Sequence, residues 1–415
     1  MNVTSKSQST QDNPSKGRRS QDWDAVFSIL GGRILTMGAL FAAILVVMIA
    51  ALTAPEFFAM PTDFAAVRHG DIDAFIRAGE LTIHGAAVDA YDKDIFIAPF
   101  SDANLTLLWF YPPHGFFAFA PLGLLPFEWV RPLWIAATFA AMAAIALRGG
   151  ARSPLLTGLL VASPATFMAI FFLQISAFVA LGLTSALVLA PKRPILSGVL
   201  LGVLTIKPQY GLMAPVLLAA TGQWRAIAAA AITTIALVLL SVAAFGVDSW
   251  TTFLTSMREV HEPFSALAHP ATISLNQLIL KLGAPPVAAS AVQGVAIIAA
   301  AIAVFVAARN CSYRVAAGLA LLLSVTVSPS AWTYDWVFVA AALVVLAAGE
   351  KWPPYLQAFA LLMWIAPFIQ LFGRNFVVVP ILLAVFSVLM TWRSLEHFPT
   401  NREPVRGKIC DQPNR

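Results

Sequence analysis

Residues 195–220 read ILSGVLLGVLTIKPQYGLMAPVLLAA, two short apolar runs separated by Lys207-Pro208-Gln209. As a helix rising 1.5 Å per residue, the run 195–206 spans roughly 18 Å, against a bilayer hydrocarbon core of roughly 30 Å. A lysine ammonium and the backbone next to a proline are tolerated at membrane depth only where protein or water surrounds them. The stretch therefore implies a helical membrane protein with a polar cavity at a break between helices.

The same pattern repeats along the chain. Of the 415 residues, 59% are hydrophobic and 11% charged, about half the charged share of a soluble domain and too little to make a water-facing surface. Apolar segments fall near 34–54, 130–147, 155–171, 175–190, 195–206, 209–220, 228–246, 286–308, 315–330, 336–349, 355–372 and 376–392, which predicts an all-α integral membrane protein of about 10–12 transmembrane helices. Residues 1–30 and 393–415 read as polar cytoplasmic segments flanking one membrane domain over 31–392, whose first apolar run is kept as a span.

Arg148, Arg152, Lys192, Arg193, Arg225, Arg309, Arg314, Lys351 and Arg393 occupy alternate gaps, the pattern of cytoplasmic loops. The other gaps then face outward, to the periplasm or cell exterior, and hold Gln174, Lys207, Gln209, Tyr334, Asp335 and Arg374. The apolar stretch from Leu105 to Phe127 fits this scheme as a hairpin that enters and leaves on the outer side.

The formal charge of +5 is spread singly, with no basic stripe for nucleic acid. Cys311 and Cys410 lie far apart, His261 and His269 lack a partnering cysteine, and no glycine-rich phosphate loop is present, so neither a metal nor any other cofactor is expected.

Between Pro55 and Asn104 the composition turns acidic, with nine carboxylates set against Arg68, Arg77 and Lys93. Within this loop Ile72, Phe75 and Ile76 recur at i, i+3, i+4, which predicts an amphipathic helix lying at the membrane interface from about Asp71. A carboxylate above the cavity is a candidate general base for an attacking hydroxyl.

Ala78-Gly79-Glu80-Leu81, His84-Gly85, Tyr91-Asp92, Tyr111-Pro112-Pro113 and Pro121–Phe127, followed by Gln174, Lys207-Pro208-Gln209, Gln223-Trp224-Arg225, Asn276, Ser328-Pro329 and Tyr334-Asp335, resemble in order and spacing glycosyltransferase family 87. This is a family of polyprenol-phosphate-mannose-dependent α-mannosyltransferases. The resemblance covers roughly residues 30–390. It implies a C-type glycosyltransferase bundle in a cell membrane, the inner one where there are two, a polyprenyl-phosphate sugar donor, a lipid or glycan acceptor, and a catalytic Asp in the first outer loop. The family's Asp-aromatic pair lies eight positions before the Gly of Ala-Gly. Counting back from Gly79 gives Asp71, followed here by Ile72; Asp63-Phe64 keeps the dipeptide at a longer spacing, and Asp73 is a third alternative.

Lys207 and Arg374 are the cations expected to hold the donor phosphate, because a preorganised charge gains most in a dry cavity. Gln174, Gln209 and Asn276 are candidates for sugar hydroxyls, Tyr111 and His114 for pocket walls, and Tyr334 and Asp335 for orienting a substrate. Each also has a purely structural reading, such as interhelical hydrogen bonding or, for Asp335, capping of the helix that follows. The expected activity is inverting hexose transfer, with mannose foremost. A flippase for a lipid-linked substrate is the alternative that membrane features alone leave open, and a transferase using a lipid-diphosphate donor is a third.

Overall fold

The computed structural model describes residues 71–99, 108–151, 154–269, 271–372 and 377–396. The expected first span at 34–54, the terminal segments 1–30 and 397–415, Asp63 and Arg374 lie outside the described residues. The principal helices are α1 (Asp71–Ile83), α2 (Phe127–Gly149), α3 (Pro154–Val161), α4 (Pro164–Phe171), α5 (Ser176–Leu189), α6 (Pro194–Val203), α7 (Ala214–Ala220), α8 (Trp224–Phe245), α9 (Asp248–Ser256), α10 (Leu275–Lys281), α11 (Pro286–Asn310), α12 (Tyr313–Thr326), α13 (Trp336–Gly349), α14 (Pro354–Phe372) and α15 (Val378–Glu396). There is no strand among the described residues, only an isolated antiparallel bridge between Thr272 and Trp332.

Among the described residues five stretches are long and apolar enough to cross a membrane: Glu128–Gly149, Pro154–Phe171 (α3 and α4 taken together), Trp224–Phe245, Pro286–Asn310 and Val378–Leu395. Five shorter apolar helices accompany them among the described residues. The chain is a multi-pass, all-α membrane protein, and the apolar runs that fall within the described residues lie on its helices. The segment 209–220 differs, since only α7 within it is α-helical. Seven residues of helix reach roughly 10 Å and cannot cross a bilayer.

The centre of the bundle is the pair α12–α13. α12 is buried continuously from Val315 to Thr326, and α13 contributes Trp336, Phe338 and Leu346 to the same core. α8 instead leaves Ile232, Ile235, Leu239 and Leu240 exposed, as a helix whose outer face meets hydrocarbon must.

Two glycines on one face of α6, Gly198 and Gly202, bring it against α8. A Cβ on Gly198 would stand 2.3 Å from the Ala226 carbonyl oxygen, and one on Gly202 would stand 2.5 Å from Thr233 Cβ. Small residues four apart allow this backbone approach where no hydrophobic driving force separates helix from lipid. The short α6 is thus seated against a full-length neighbour, and that seating fixes where its end, just before Lys207, comes to rest.

α1 forms over the expected residues, but its apolar side meets protein rather than a membrane surface. Ile72, Phe75 and Ile76 are buried, and the Phe75 ring stacks on Phe119 at 4.7 Å between centroids and packs edge-on against Tyr111 at 5.7 Å. Phe119 and Tyr111 belong to the expected hairpin, whose residues 113–124 form three short turns of helix, Pro113–Gly115, Phe116–Phe119 and Ala120–Leu124. None is long enough to cross a bilayer.

Gly79 and Gly123 let α1 and the hairpin touch backbone to backbone. A Cβ on Gly79 would lie 2.4 Å from the Phe119 carbonyl oxygen and 2.8 Å from the Gly123 nitrogen. Those atoms are main chain and cannot rotate aside. Gly79→Ala is therefore expected to destabilise the protein by about 3 kcal/mol, at the upper end of overpacking costs, with a lowered melting temperature in detergent. Gly85→Ala, whose Cβ would meet nothing within 4 Å, carries only the strain of a left-handed φ of 75°, so the loss at Gly79, which has no such φ, reports the clash.

Candidate active site

Three breaks in the bundle meet beneath α1. The first lies between α4 and α5 and presents Gln174. The second is the pair of 3-10 turns Leu204–Ile206 and Pro208–Gly211 flanking Lys207. The third is the turn Thr333–Asp335 ahead of α13. Asp71 enters from α1 and Tyr111 from the hairpin.

Lys207 is 7% exposed. Its Nζ lies 5.8, 5.9 and 5.3 Å from the ring centroids of Tyr111, Tyr210 and Tyr334, within the range at which a ring face attracts a cation. Its ammonium has three donors, and one hydrogen bond is made, to Gln174 Oε1 at 3.3 Å. Among the described residues it has no further acceptor, which leaves donor capacity for an anion.

The two aspartates at this site have different surroundings. Asp335 is fully buried and both its oxygens are engaged: Oδ1 accepts from Ser176 Oγ at 2.5 Å, while Oδ2 accepts from the Tyr210 hydroxyl and from the Trp332 N–H at 2.8 Å. Its side chain does not cap α13; it reaches backwards and ties α5, the Lys207 turn and the 330–335 loop together. Asp71 is half-buried. Its Oδ2 accepts from Gln174 Nε2, and Oδ1 has no partner among the described residues. Burial raises the Asp71 carboxyl above the usual aspartate range, while the Gln174 hydrogen bond and the Lys207 charge draw it back and Asp335 adds to the rise. One aspartate is occupied by the fold and the other holds an oxygen open.

Asp71, Tyr111, Gln174, Lys207, Tyr334 and Asp335 are thus brought together. His114 is buried nearby, its Nε2 3.2 Å from Thr205 Oγ1 and its ring stacked on Trp250 at 5.9 Å. Gln209 is half-buried in the Lys207 turn, and no hydrogen bond joins it to the cluster among the described residues. Asn276 stands at the start of α10, where its backbone N–H donates to Gln293 Oε1 at 2.9 Å; nothing described links it to Lys207. Asp73, two residues from Asp71, is buried at 3% exposure. Among the described residues no group of three His, Cys, Asp or Glu side chains is placed to hold a metal.

Tyr210 and Ser176 were not legible as members of this cluster. A tyrosine hydroxyl inside an apolar run is a signal of sorts, because a buried O–H requires a partner, but the partner lies 125 residues away. Tyr210→Phe is expected to lower stability by about 2 kcal/mol through loss of one donor to a buried carboxylate. Thermal unfolding against the parent protein measures it.

A family profile described as glycosyltransferase family 87 matches residues 109–329, a span from Trp109 beside the hairpin to Pro329 at the third break. Comparison with curated proteins and with solved structures returns no match. The profile covers more than half of the chain and includes Tyr111, Gln174 and Lys207, so the chain belongs to glycosyltransferase family 87.

Proposed function

We propose that this glycosyltransferase moves a hexose, mannose by its family resemblance, from a polyprenyl-phosphate donor to a hydroxyl of a lipid or glycan acceptor, on the outer face of the cell membrane. The observation that carries the proposal is a carboxylate with an open oxygen and a buried ammonium with spare donors, one side-chain amide apart.

In this reading the acceptor hydroxyl lies against Asp71 Oδ1. Its oxygen attacks the anomeric carbon as the bond from that carbon to the phosphate oxygen breaks, so the anomeric centre inverts in one displacement. The hydroxyl proton passes to Asp71, and the electron pair leaves with the lipid phosphate. Lys207 neutralises the charge gathering on that phosphate, at a depth where a fixed cation acts with little screening. Tyr111 and Tyr334 wall the space above the ammonium, and His114 extends that wall. Gln209 is the proposed partner for a sugar hydroxyl and Asn276 a second, more distant one. Arg374 is proposed as a further phosphate contact, and Asp63 as the alternative base if Asp71 is not the one used. No step uses a metal or a nucleotide.

Purified protein in liposomes with a polyprenyl-phosphate mannose and a glycolipid acceptor tests the proposal, reading released polyprenyl phosphate and mannosylated product. Movement of the donor across the bilayer with no release of lipid phosphate would favour a flippase instead.

A further inference from the structure

We infer that Gln174 is a spacer: its side-chain amide holds Asp71 and Lys207 in one charged unit while keeping them from closing into a direct ion pair. The inference rests on the proposed roles of Asp71 and Lys207 and assigns Gln174 a positioning role in place of contact with a sugar hydroxyl.

The orientation of the amide is fixed by chemistry. A lysine ammonium only donates and an ionised carboxylate only accepts, so Oε1 must face Lys207 and Nε2 must face Asp71, as observed. Oε1 also accepts from the Ile175 N–H at 3.2 Å, which folds the side chain back over its own backbone. With both ends engaged and the residue 5% exposed, little capacity is left for a substrate hydroxyl. No direct ion pair joins Asp71 and Lys207 within 4.0 Å; among the described residues Arg77–Glu80 is the pair that reaches that distance.

The backbone is shaped to the same end. α4 closes with Leu173 N–H donating to Ile170 C=O at 3.1 Å and Gln174 N–H donating to Ala169 C=O at 3.0 Å, a Schellman turn whose left-handed position is normally glycine. Here that position is Leu173, at φ 51° and buried. A branched residue held there costs roughly 1–2 kcal/mol, and such strain persists where the surroundings over-determine it. It is the one positive φ outside glycine among the described residues, and the residue it aims is Gln174.

A direct pair would be chemically costly to the site. A carboxylate closed onto an ammonium is a weaker base, and an ammonium so engaged is less free to take a phosphate. The amide keeps both groups polarised and apart. The charged and titratable groups facing Asp71 are Lys207 and Asp335, with the hydroxyls of Tyr111 and Tyr334. Of these, Lys207 is the cation able to move onto Asp71.

The test uses full-length protein in detergent with two readouts, the pH dependence of kcat and infrared titration of the Asp71 carboxyl without substrate, the latter independent of activity. Gln174→Leu is expected to lower kcat about 100-fold, the scale of a 1 Å misplacement, to raise the donor KM, and to move both titrations to lower pH as Lys207 closes onto Asp71. In a Lys207→Met background the same change should no longer move the carboxyl titration downward. Gln174→Asn, one methylene shorter, keeps the amide but reaches only one partner; it should show the same downward shifts, and it carries the test where Gln174→Leu folds poorly. A carboxyl titration that stays in place or rises in both variants would overturn the spacer role. A downward shift in a protein whose Asp71→Asn variant still turns over would leave the spacer standing and remove Asp71 as the base.

Discussion

Asp71→Asn is expected to lower kcat roughly 10³-fold, within the range contributed by a positioned general base, while leaving the protein folded. The substitution is isosteric, and the asparagine carbonyl still accepts from Gln174 Nε2 in place of the carboxylate oxygen. What is lost is the capacity to take the acceptor's proton. Because burial holds the Asp71 carboxyl above the usual aspartate range, the base becomes active only as pH rises past that elevated value. The acid limb of kcat in the parent protein should therefore lie above where an exposed aspartate would put it, and residual turnover in the variant should lack that limb. Asp335→Asn is the contrasting case. Its carboxylate accepts from Ser176, Tyr210 and the Trp332 N–H, so an amide NH₂ placed there faces donors. Expected is a stability loss of about 3 kcal/mol, the penalty of a buried group left unsatisfied. Transfer assays and thermal unfolding on the two variants separate the roles: lost activity without a melting shift for Asp71→Asn, a melting shift for Asp335→Asn. An Asp71→Asn protein that retains parental kcat would return attention to Asp63.

The contrast between the aspartates also shows how far the sequence could be read. Helix existence was legible because charges punctuate the apolar runs: α2, α5, α8, α11 and α13 begin and end close to the expected limits. So was the break at Lys207, since proline after an ammonium cannot continue a helix through lipid. The i, i+3, i+4 spacing of Ile72, Phe75 and Ile76 shows that α1 has an apolar face, but an apolar face does not say what covers it. Its cover is the 113–124 hairpin, and that contact is made possible by a pair of glycines 44 positions apart that carry no local signal. Side-chain direction after a proline was equally hidden. In a 3-10 turn, periodicity does not reveal which residue turns inward, so Gln209 drew attention as the polar residue while Tyr210 is the one that binds Asp335. The left-handed Leu173 had no signature at all, because leucine is among the residues least expected there. Partnerships made across more than a hundred residues, Gln174 with Asp71 and Ser176 with Asp335, arise only once the bundle has closed.

Lys207→Met is expected to lower kcat/KM for the polyprenyl-phosphate donor by roughly 10²–10³-fold, the scale seen when one preorganised group that stabilises transition-state charge is removed. Methionine matches the length and apolar stem of lysine, so contacts with the tyrosine rings are largely kept and the loss reports on the charge. The buried ammonium neutralises a leaving group whose charge grows along the reaction, so kcat should fall as well as KM rise; a rise in KM alone would mean that Lys207 holds the ground-state phosphate and nothing more. Polyprenyl phosphate added as a product inhibitor should lose affinity in the same variant. Lys207→Arg is expected to restore little. The lysine sits among three rings at 5.3–5.9 Å with its one acceptor on Gln174, and a planar guanidinium needs more room and a different donor geometry than a compact ammonium. Because the group is shielded from solvent, the parent protein's donor KM should change little with ionic strength, since salt screens exposed charges far more than buried ones. A donor KM that climbs steeply with salt, together with full activity in Lys207→Met, would move the phosphate site to an exposed cation. Arg374 is then the first residue to substitute.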